Sequence, residues 1–393
     1  MDSCTTRILL QSRFRQRSLY GLSVAPRLWF EHLRDLLLSI GLVQSTFDQC
    51  LFYGQDMICG VFVDDLAVIS KTSKIVDLFV AKLRSLGCEL TKEDSLCEYL
   101  GIKLVRNNQA GTFTLTQQGL IDKIVSHTGL TESNPNYTPA TQMALGTDPD
   151  GQYMQEDWSY SSIVGMLLYL AVNTRPDIAY AVSQVARFNH SPKQSHAKAV
   201  KTIVRYLKGS RDIGTVMKPN GSLNLVLYTD ADYAGLYKQE PDHLPTAVRS
   251  RTGYIIFLGS CPLVWKSQLQ TEIALSTLEA EYCALSLGLK SLLPLKRLLI
   301  EAVQALSLPS PSTSLISAQA CQDNTGAYYL ATNQRLTNRT KHMLVKFHWF
   351  WTHYKRGEFT ISMVKSEDQL ADYFTKGLSK DVFLKNRKSV QNN

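Results

Sequence analysis

The chain of 393 residues predicts an α/β protein, and three observations support that class. Residues 160–174 repeat apolar side chains at three- and four-residue spacing, which predicts a helix, and similar stretches follow. Residues 223–230 (LNLVLYTD) alternate leucines with other side chains, which predicts a strand. From there the patterns predict three strands, a helix, a strand, helices, a strand and a final helix. That order favours a mixed five-stranded sheet with helices over a doubly wound parallel sheet.

Two loop-like stretches divide the chain into segments. Residues 131–152 are rich in Pro, Gly, Thr and Asn, and KPNGS (218–222) forms a second break. The composition is that of a globular protein, 44% hydrophobic and 19% charged, and the length is typical of two or three domains. The predicted segments are residues 1–140, a helical connection of residues 141–222, an α/β domain of residues 223–380 and a C-terminal tail of residues 381–393.

Two details of the α/β domain follow from local signals. A long helix contains STLEAEY and continues to LIEAVQAL, and Pro294 is expected to kink or split it. Ser366 and Gln369 have the spacing of a capping box, so we predict that the last helix begins there. Asp372 would then lie one to two turns inside that helix.

Charge and cysteine usage limit the possible classes of protein. The net charge of +8 suits a polyanionic partner, although many soluble proteins are equally basic. The eight cysteines include no C-x-x-C pair and no histidine at zinc spacing, which argues against a zinc site and predicts reduced thiols. There is no signal-peptide pattern and no apolar run of the roughly 18 residues that a membrane span requires. We therefore expect a soluble intracellular protein without a membrane partner.

Several acidic side chains lie at the ends of predicted strands or in a predicted helix, where they could bind a cation. Asp230 ends the first predicted strand, Asp323 ends a later one, and Asp372 lies in the last helix. Taken singly, such an acid is more often a solvated charge or a helix cap. Carboxylates at the ends of adjacent strands would, however, repel each other unless cations lay between them. Two Mg²⁺ ions about 4 Å apart in such a cluster are the usual solution for phosphodiester cleavage.

The long helix supplies two further acids, Glu279 and Glu281. Residues two apart on a helix point about 200° away from each other, so the two cannot share one site equally. One of them is therefore expected to be a bystander.

The α/β domain contains, in this order, the motifs YTDADYAG, SRTGYIIFLGSCPLVWKS, ALSTLEAEYCAL, CQDNTGA, RTKHM and QLADYFTKGL. Over residues 223–380 they resemble the ribonuclease H domain of copia-type retrotransposon Pol polyproteins. The resemblance implies hydrolysis of the RNA strand of RNA–DNA hybrids, with Mg²⁺ as cofactor and Mn²⁺ as a substitute. It also implies that the catalytic, metal-binding carboxylates are Asp230, Glu281, Asp323 and Asp372, with Glu281 chosen because it lies in the AEY-x-AL part of its motif.

Two further positions are secondary candidates in that domain. Asp232 is the second acid of the D-A-D element and shares a strand face with Asp230 if the strand continues. His342 is either an aid to product release or proton transfer, or an ordinary helix or core histidine. The family commonly has His-Ile-Asp after Thr-Lys, whereas this chain has His342-Met343-Leu344.

A second acidic pair lies near the N-terminus. In MICGVFVDDLAVIS, Asp64 and Asp65 stand between apolar runs, where two like charges are costly without a cation unless they form an exposed turn. The surrounding motifs RSLYGLSVAPRLWFEHL, EYLGIKLVRN and YSSIVGMLLYLAVNTRPDIAYAVS resemble the copia-type reverse transcriptase and its connection. By that resemblance FVDD corresponds to the aromatic-x-Asp-Asp hairpin, whose acids bind Mg²⁺ for nucleotide addition.

This N-terminal part departs from the family, and the departures argue against polymerase activity. The family's third carboxylate is expected in a segment upstream of YGL, for which this chain starts too late, and Ser23 and Val24 replace the usual Lys and Gln. We therefore expect a truncated palm and thumb of a reverse transcriptase, with polymerase activity lost. The alternative for the whole chain is an inactive remnant that folds or binds nucleic acid without catalysis.

Nucleic acid is the expected partner. Basic and aromatic residues alternate in RFRQRSLY and WFWTHYKR, which suits phosphate contacts and base stacking, although a buried aromatic core is the favoured interpretation of WFWTHY. An RNA–DNA hybrid would be recognised mainly by shape and backbone, which leaves little sequence signature. The missing polymerase half or other Pol products are further candidate partners.

Overall fold

The computed structural model describes residues 4–11, 23–93, 95–241, 243–307, 316–333 and 348–392. The arginine-rich stretch RFRQRSLY, the YGL motif and His342 lie outside these residues. The chain forms two compact units, one of Met1–Leu100 with Pro294–Ile316 and the other of Gly101–Leu293 with Ser317–Asn393. The division into four segments stays a prediction.

The first unit is built on a six-stranded sheet. Its strands are β1 (Cys4–Gln11), β2 (Val43–Gln44), β3 (Leu51–Gly54), β4 (Met57–Phe62), β5 (Asp65–Ser70) and β6 (Glu89–Glu93), and its helices are α1 (Ala25–Ser39) and α2 (Ser73–Ser85), followed by the short strand β7 (Glu98–Tyr99). The strand order is β2-β3-β4-β5-β1-β6, and every neighbouring pair is antiparallel. Apolar side chains of both helices join those of the sheet in one core.

The second unit begins with a small sheet and a group of helices. These elements are β8 (Ile102–Asn107), β9 (Thr112–Thr116), α3 (Gln118–His127), α4 (Tyr160–Asn173), α5 (Ala179–Ala186), α6 (Gln194–Gly209) and β10 (Thr215–Met217). Helix α4 begins at the capping residue Ser159, whose side chain accepts a hydrogen bond from the Ser162 amide. The helices predicted from residue 160 onward are confirmed by α4, α5 and α6.

The rest of the second unit is a mixed five-stranded sheet with its helices. It contains β11 (Leu225–Asp232), β12 (Arg251–Leu258), β13 (Cys261–Leu269), α7 (Thr277–Ala305), β14 (Ala318–Gln322), α8 (Thr325–Asn333), α9 (His348–Lys355), β15 (Thr360–Met363) and α10 (Lys380–Gln391). The strand order is β13-β12-β11-β14-β15. The first three strands are antiparallel neighbours, whereas β14 is parallel to both β11 and β15. The predicted α/β class and mixed sheet are confirmed.

Helices cover both faces of this sheet. On one face, Ile255, Phe257 and Trp265 share a core with α4, α5 and α6, and the Trp265 indole donates a hydrogen bond of 2.6 Å to the Ala171 carbonyl. On the other face, the hydroxyl oxygens of Tyr254 and of Ser291 in α7 lie 2.8 Å apart. Strand β12, which lies between its two neighbours and both helical layers, is consequently buried almost throughout.

Three local predictions were wrong or incomplete. Helix α7 passes through Pro294 without being split. No α-helix starts at Ser366; two short 3₁₀ helices, Ser366–Asp368 and Leu370–Phe374, occupy this segment. The reason is that Gln369 has an extended backbone (ψ 97°), which ends the first turn before an α-helix can form. Strand β11 also continues to Asp232 rather than ending at Asp230.

The aromatic stretch WFWTHY behaves as core. Phe350 is fully buried and Trp351 is 8% exposed, so the favoured interpretation of this motif is confirmed. No helix in the described ranges combines the length and the hydropathy that a membrane crossing would need.

Candidate metal centre

Three carboxylates meet at one edge of the five-stranded sheet. Asp230 comes from β11, Glu281 from the first turns of α7, and Asp323 follows β14 directly. One oxygen from each carboxylate lies within 4.8 Å of the others. Because β11 and β14 are parallel neighbours, their carboxyl ends reach the same edge. The three side chains are therefore close enough to share a cation.

Helix α7 reaches this edge because Gly288 faces β11. A Cβ atom at Gly288 would lie 2.8 Å from Thr229 Cγ2 and 2.9 Å from Leu227 Cδ1. Glu281 precedes Gly288 by two helical turns and therefore points to the same face of α7. The absence of a side chain at Gly288 allows Glu281 to lie over the end of β11.

Gly253 allows the segment that carries Asp372 to approach β12 closely. It pairs with Asp230 between β12 and β11, and a Cβ atom there would lie 2.7 Å from Thr375 Cγ2 and 2.8 Å from Phe374 Cβ. The 3₁₀ helix Leu370–Phe374 consequently packs directly on β12, beside the cluster.

Glu281 has one oxygen that no hydrogen-bond donor of the described residues reaches, although the Ala231 backbone donates to this carboxylate. Its side chain is buried, and its Oε2 atom has no hydrogen-bond partner among the described atoms. Burial, followed by the charges of Asp230 and Asp323, raises the pKa of Glu281 well above its usual range. A buried oxygen without a donor is costly, so this side chain is suited to a positive ligand.

Asp230 is also buried but has partners. Burial and the neighbouring Asp372 raise the pKa of Asp230, while a hydrogen bond from the Thr375 hydroxyl to Oδ2 opposes that shift. The hydroxyl therefore helps to hold Asp230 in one orientation.

Asp372 lies next to Asp230 and is paired with a lysine. Its Oδ2 atom is 2.9 Å from Lys376 Nζ. Burial disfavours the charge on Lys376, but the hydrogen bond and charge of Asp372 outweigh it and raise the lysine pKa. Three of the predicted acids, Asp230, Glu281 and Asp323, therefore form the cluster. The fourth, Asp372, lies beside it and is paired with the Lys376 side chain.

Glu279 and Asp232, the two other acids considered for this site, do not belong to the cluster. Glu279 accepts a hydrogen bond of 2.9 Å from the Leu275 amide, while its own amide donates to Ser276 Oγ at 3.2 Å. It thus caps the start of α7, and the S-x-x-E pattern at 276–279 is the signal that could have predicted this. Asp232 lies outside the three-residue cluster, and burial raises its pKa although the charge of Arg251 opposes the shift.

The composition of the cluster suits a hard divalent cation. All of its donors are carboxylate oxygens, which Mg²⁺ and Mn²⁺ prefer, and Glu281 has a buried oxygen to offer. The seven cysteines whose side chains are described are free thiols, and none belongs to this cluster. The residues present therefore fit the predicted magnesium site.

Sequence reasoning missed three residues next to the acids. Thr375 and Lys376 contact Asp230 and Asp372, and Gln369 donates a hydrogen bond to Asp323. All three lie in the QLADYFTKGL motif, but a motif does not reveal which of its side chains turn inward.

The N-terminal acidic pair lies in the first unit. Asp64 is exposed in the turn between β4 and β5, so the predicted hairpin is confirmed. Asp65 accepts two hydrogen bonds from Arg7, from Nε at 3.0 Å and from Nη2 at 2.9 Å. A guanidinium that occupies both oxygens competes with any metal ion for this carboxylate.

Comparison with known proteins shows which families this chain is similar to. Residues 13–142 match the model of the family "Reverse transcriptase (RNA-dependent DNA polymerase)". The chain is 32% identical over 372 residues to the retrovirus-related Pol polyprotein from transposon RE1 of Arabidopsis thaliana. That alignment covers 94% of this chain and 24% of the polyprotein, so the chain spans about a quarter of that relative.

A shorter relative matches over most of its own length. The transposon Ty5-1 protein YCL074W of Saccharomyces cerevisiae is 30% identical over 275 residues, which covers 68% of this chain and 85% of that protein. Among solved structures, ribonuclease H1 from Halobacterium salinarum matches with 15% identity and a TM-score of 0.25, over 39% of this chain and 94% of that one. From the sequence relatives, the chain belongs to the copia-type Pol polyproteins of retrotransposons.

Proposed function

We propose that the second unit hydrolyses the RNA strand of RNA–DNA hybrids with the help of divalent cations. The observation that carries this proposal is the cluster of Asp230, Glu281 and Asp323 at the sheet edge. Membership of the retrotransposon Pol family supports it, because the motifs around these acids resemble the ribonuclease H domain of that family. Mg²⁺ is the proposed cofactor, with Mn²⁺ as a substitute.

The four acids share one part in this proposal, and two neighbouring side chains support them. Asp230, Glu281, Asp323 and Asp372 would hold the cations, which when bound supply Lewis-acid chemistry for phosphodiester hydrolysis. Thr375 keeps Asp230 oriented through its hydrogen bond. Lys376 balances the charge of Asp372 and carries donors that can contact a backbone phosphate.

Cleavage of a labelled hybrid by the purified full chain tests this function. With Mg²⁺ present, we expect the RNA strand to be cut, and Asp323→Asn to reduce the rate by at least about a hundredfold because a cation ligand is removed. Absence of cleavage by the unmutated chain would contradict the proposal. Equal cleavage by the variant would indicate a contaminating nuclease and would contradict it too.

We infer that the Asp64–Asp65 hairpin does not support DNA synthesis. Both oxygens of Asp65 are bound to Arg7, which leaves Asp64 as the freely exposed acid of the pair. A two-metal polymerase site needs several carboxylates free to bind the ions. A primer-extension assay on an RNA template should give no product, and clear extension would overturn this inference.

A further inference from the structure

One buried amide connects most of the segments that carry the acids. Gln369 is 2% exposed and lies between the two short 3₁₀ helices. Its Nε2 atom donates to the Thr229 carbonyl at 2.9 Å and to Asp323 Oδ1 at 3.2 Å. Its Oε1 atom accepts a hydrogen bond of 3.2 Å from the Ala371 amide. Both hydrogens and the oxygen of this amide are therefore used.

The three contacts reach three different elements. Thr229 immediately precedes Asp230 in β11, and Ala371 immediately precedes Asp372. The contact to Asp323 is made directly to the carboxylate. The Gln369 side chain thus bonds directly to the carboxylate of Asp323. It also bonds to the backbone of the residues that precede Asp230 and Asp372.

Gln322, which immediately precedes Asp323, makes hydrogen bonds of a different kind. Gln322 Oε1 accepts hydrogen bonds from the backbone amides of Asp323 at 2.9 Å and of Asn324 at 3.4 Å. Gln322 therefore holds the backbone at this turn, whereas Gln369 holds the carboxylate itself. The orientation of Asp323 Oδ1 consequently depends on Gln369.

We propose that Gln369 is a positioning residue that holds Asp323 and the Asp372 segment against the end of β11. It touches neither cation nor substrate in this proposal, and it acts through the carboxylates that it orients. Residues that orient ligands in this way typically change metal affinity or activity by roughly 10–100-fold when they are replaced. This inference rests on the proposed function only in taking these carboxylates as cation ligands.

The test is a Mn²⁺ titration of the full chain, followed by the electron paramagnetic resonance signal of free Mn²⁺. Gln369→Met keeps the length of the side chain but has no amide, and Gln369→Asn keeps the amide on a shorter arm. We expect a Mn²⁺ dissociation constant roughly 10–100-fold higher for Gln369→Met and an intermediate value for Gln369→Asn. The Mg²⁺ concentration for half-maximal cleavage should shift in the same order, with an unchanged KM for the hybrid.

Gln184→Leu is the matched control. Gln184 is also buried in the second unit, where its amide donates to the Tyr180 hydroxyl at 2.9 Å. Loss of this amide should lower the melting temperature and leave Mn²⁺ affinity unchanged. A merely structural role for Gln369 would give the same pattern, and an unchanged Mn²⁺ affinity in folded Gln369→Met would overturn the proposal.

The two proposals can fail separately. Unmutated protein that binds Mn²⁺ but leaves hybrids intact would contradict the nuclease function and still allow the Gln369 effect to be measured. Unmutated protein that cleaves hybrids, with a Gln369→Met variant of equal Mn²⁺ affinity and equal Mg²⁺ dependence, would contradict the positioning role alone.

Discussion

At the scale of single residues, Glu281 differs from the other acids in what surrounds it. Asp230 receives a hydroxyl hydrogen bond and Asp323 an amide hydrogen bond, whereas one oxygen of Glu281 is buried without a donor. Without a cation, protonation of Glu281 relieves the charge that burial and the neighbouring acids disfavour. Protons and cations should therefore compete for Glu281.

This competition predicts how stability depends on pH in the metal-free protein. The pKa of Glu281 rises from 4.5 to about 9 in the fold, so the folded state binds a proton that the unfolded state has released between these values. Its contribution to stability is therefore full below about pH 4.5 and is lost as the pH rises toward 9. Urea unfolding in EDTA should show the unmutated chain losing stability over this range relative to Glu281→Gln.

Added Mg²⁺ is the control for that measurement. A cation at the cluster should remove much of the difference between the two proteins at high pH, because it stabilises the ionised carboxylate. Parallel pH curves for the unmutated chain and Glu281→Gln in EDTA would show that Glu281 is not the group responsible.

At the scale of elements, two glycines determine how closely the segments that carry the acids approach the sheet. Gly288 admits α7 and Gly253 admits the 3₁₀ helix Leu370–Phe374. Gly253 lies in β12 and Gly288 in α7, so the cluster depends on small residues in two different elements.

A methyl group at Gly253 tests this dependence. Gly253→Ala would place Cβ 2.9 Å from the Ala371 carbonyl oxygen as well as against Thr375, and backbone cannot yield as a flexible side chain can. We expect the free energy of unfolding to fall by about 1–3 kcal/mol, as in other overpacked cores, and hybrid cleavage to fall with it. Chemical denaturation and the cleavage assay measure the two effects.

Gly165→Ala is the matched control for this substitution. Gly165 lies in α4 and a Cβ atom there would meet nothing within 4 Å. Because alanine favours helix, the protein should be as stable as before or more stable by up to about 1 kcal/mol. Equal losses from both substitutions would mean that packing around Gly253 is not the cause.

Part of this arrangement could be predicted from the sequence. The alternation around Leu225 and Leu227 predicted the strand that carries Asp230, and the spacing of Glu279 and Glu281 showed that one had to be a bystander. The role of Gln369 could not be predicted, because the local spacing from Ser366 equally fits a capping box. Its actual partners, Thr229 and Asp323, are distant in sequence, and no local pattern encodes them.

At the scale of the whole molecule, a buried charge network joins the helices of the second unit. Arg175 donates to Asp177 through Nε at 2.9 Å and through Nη2 at 2.7 Å, and both residues are buried. Tyr206 in α6 donates to the same carboxylate, and Arg387 in α10 donates to the Tyr206 oxygen at 3.2 Å. The network therefore ties the last helix to the middle of the chain.

Removing the acid of this network should be among the more damaging single changes. Asp177→Asn leaves the Arg175 guanidinium buried without a counter-charge, which typically costs about 3–5 kcal/mol. Asp122→Asn, which breaks the exposed pair with Arg211, should cost much less, because water screens both charges. Urea unfolding of both variants measures the difference, and similar losses would contradict the view that burial gives the network its importance.

The mixed sheet also has a consequence for the order in which the site can form. Asp230 and Glu281 precede β14, and β14 must join β11 in parallel before Asp323 can stand beside them. Pairing between segments so far apart in the chain is slow, because a long loop has to close first. A growing chain on the ribosome would accordingly carry an incomplete cluster until β14 has been made and docked. Cation binding to this cluster would thus mark a late stage of folding.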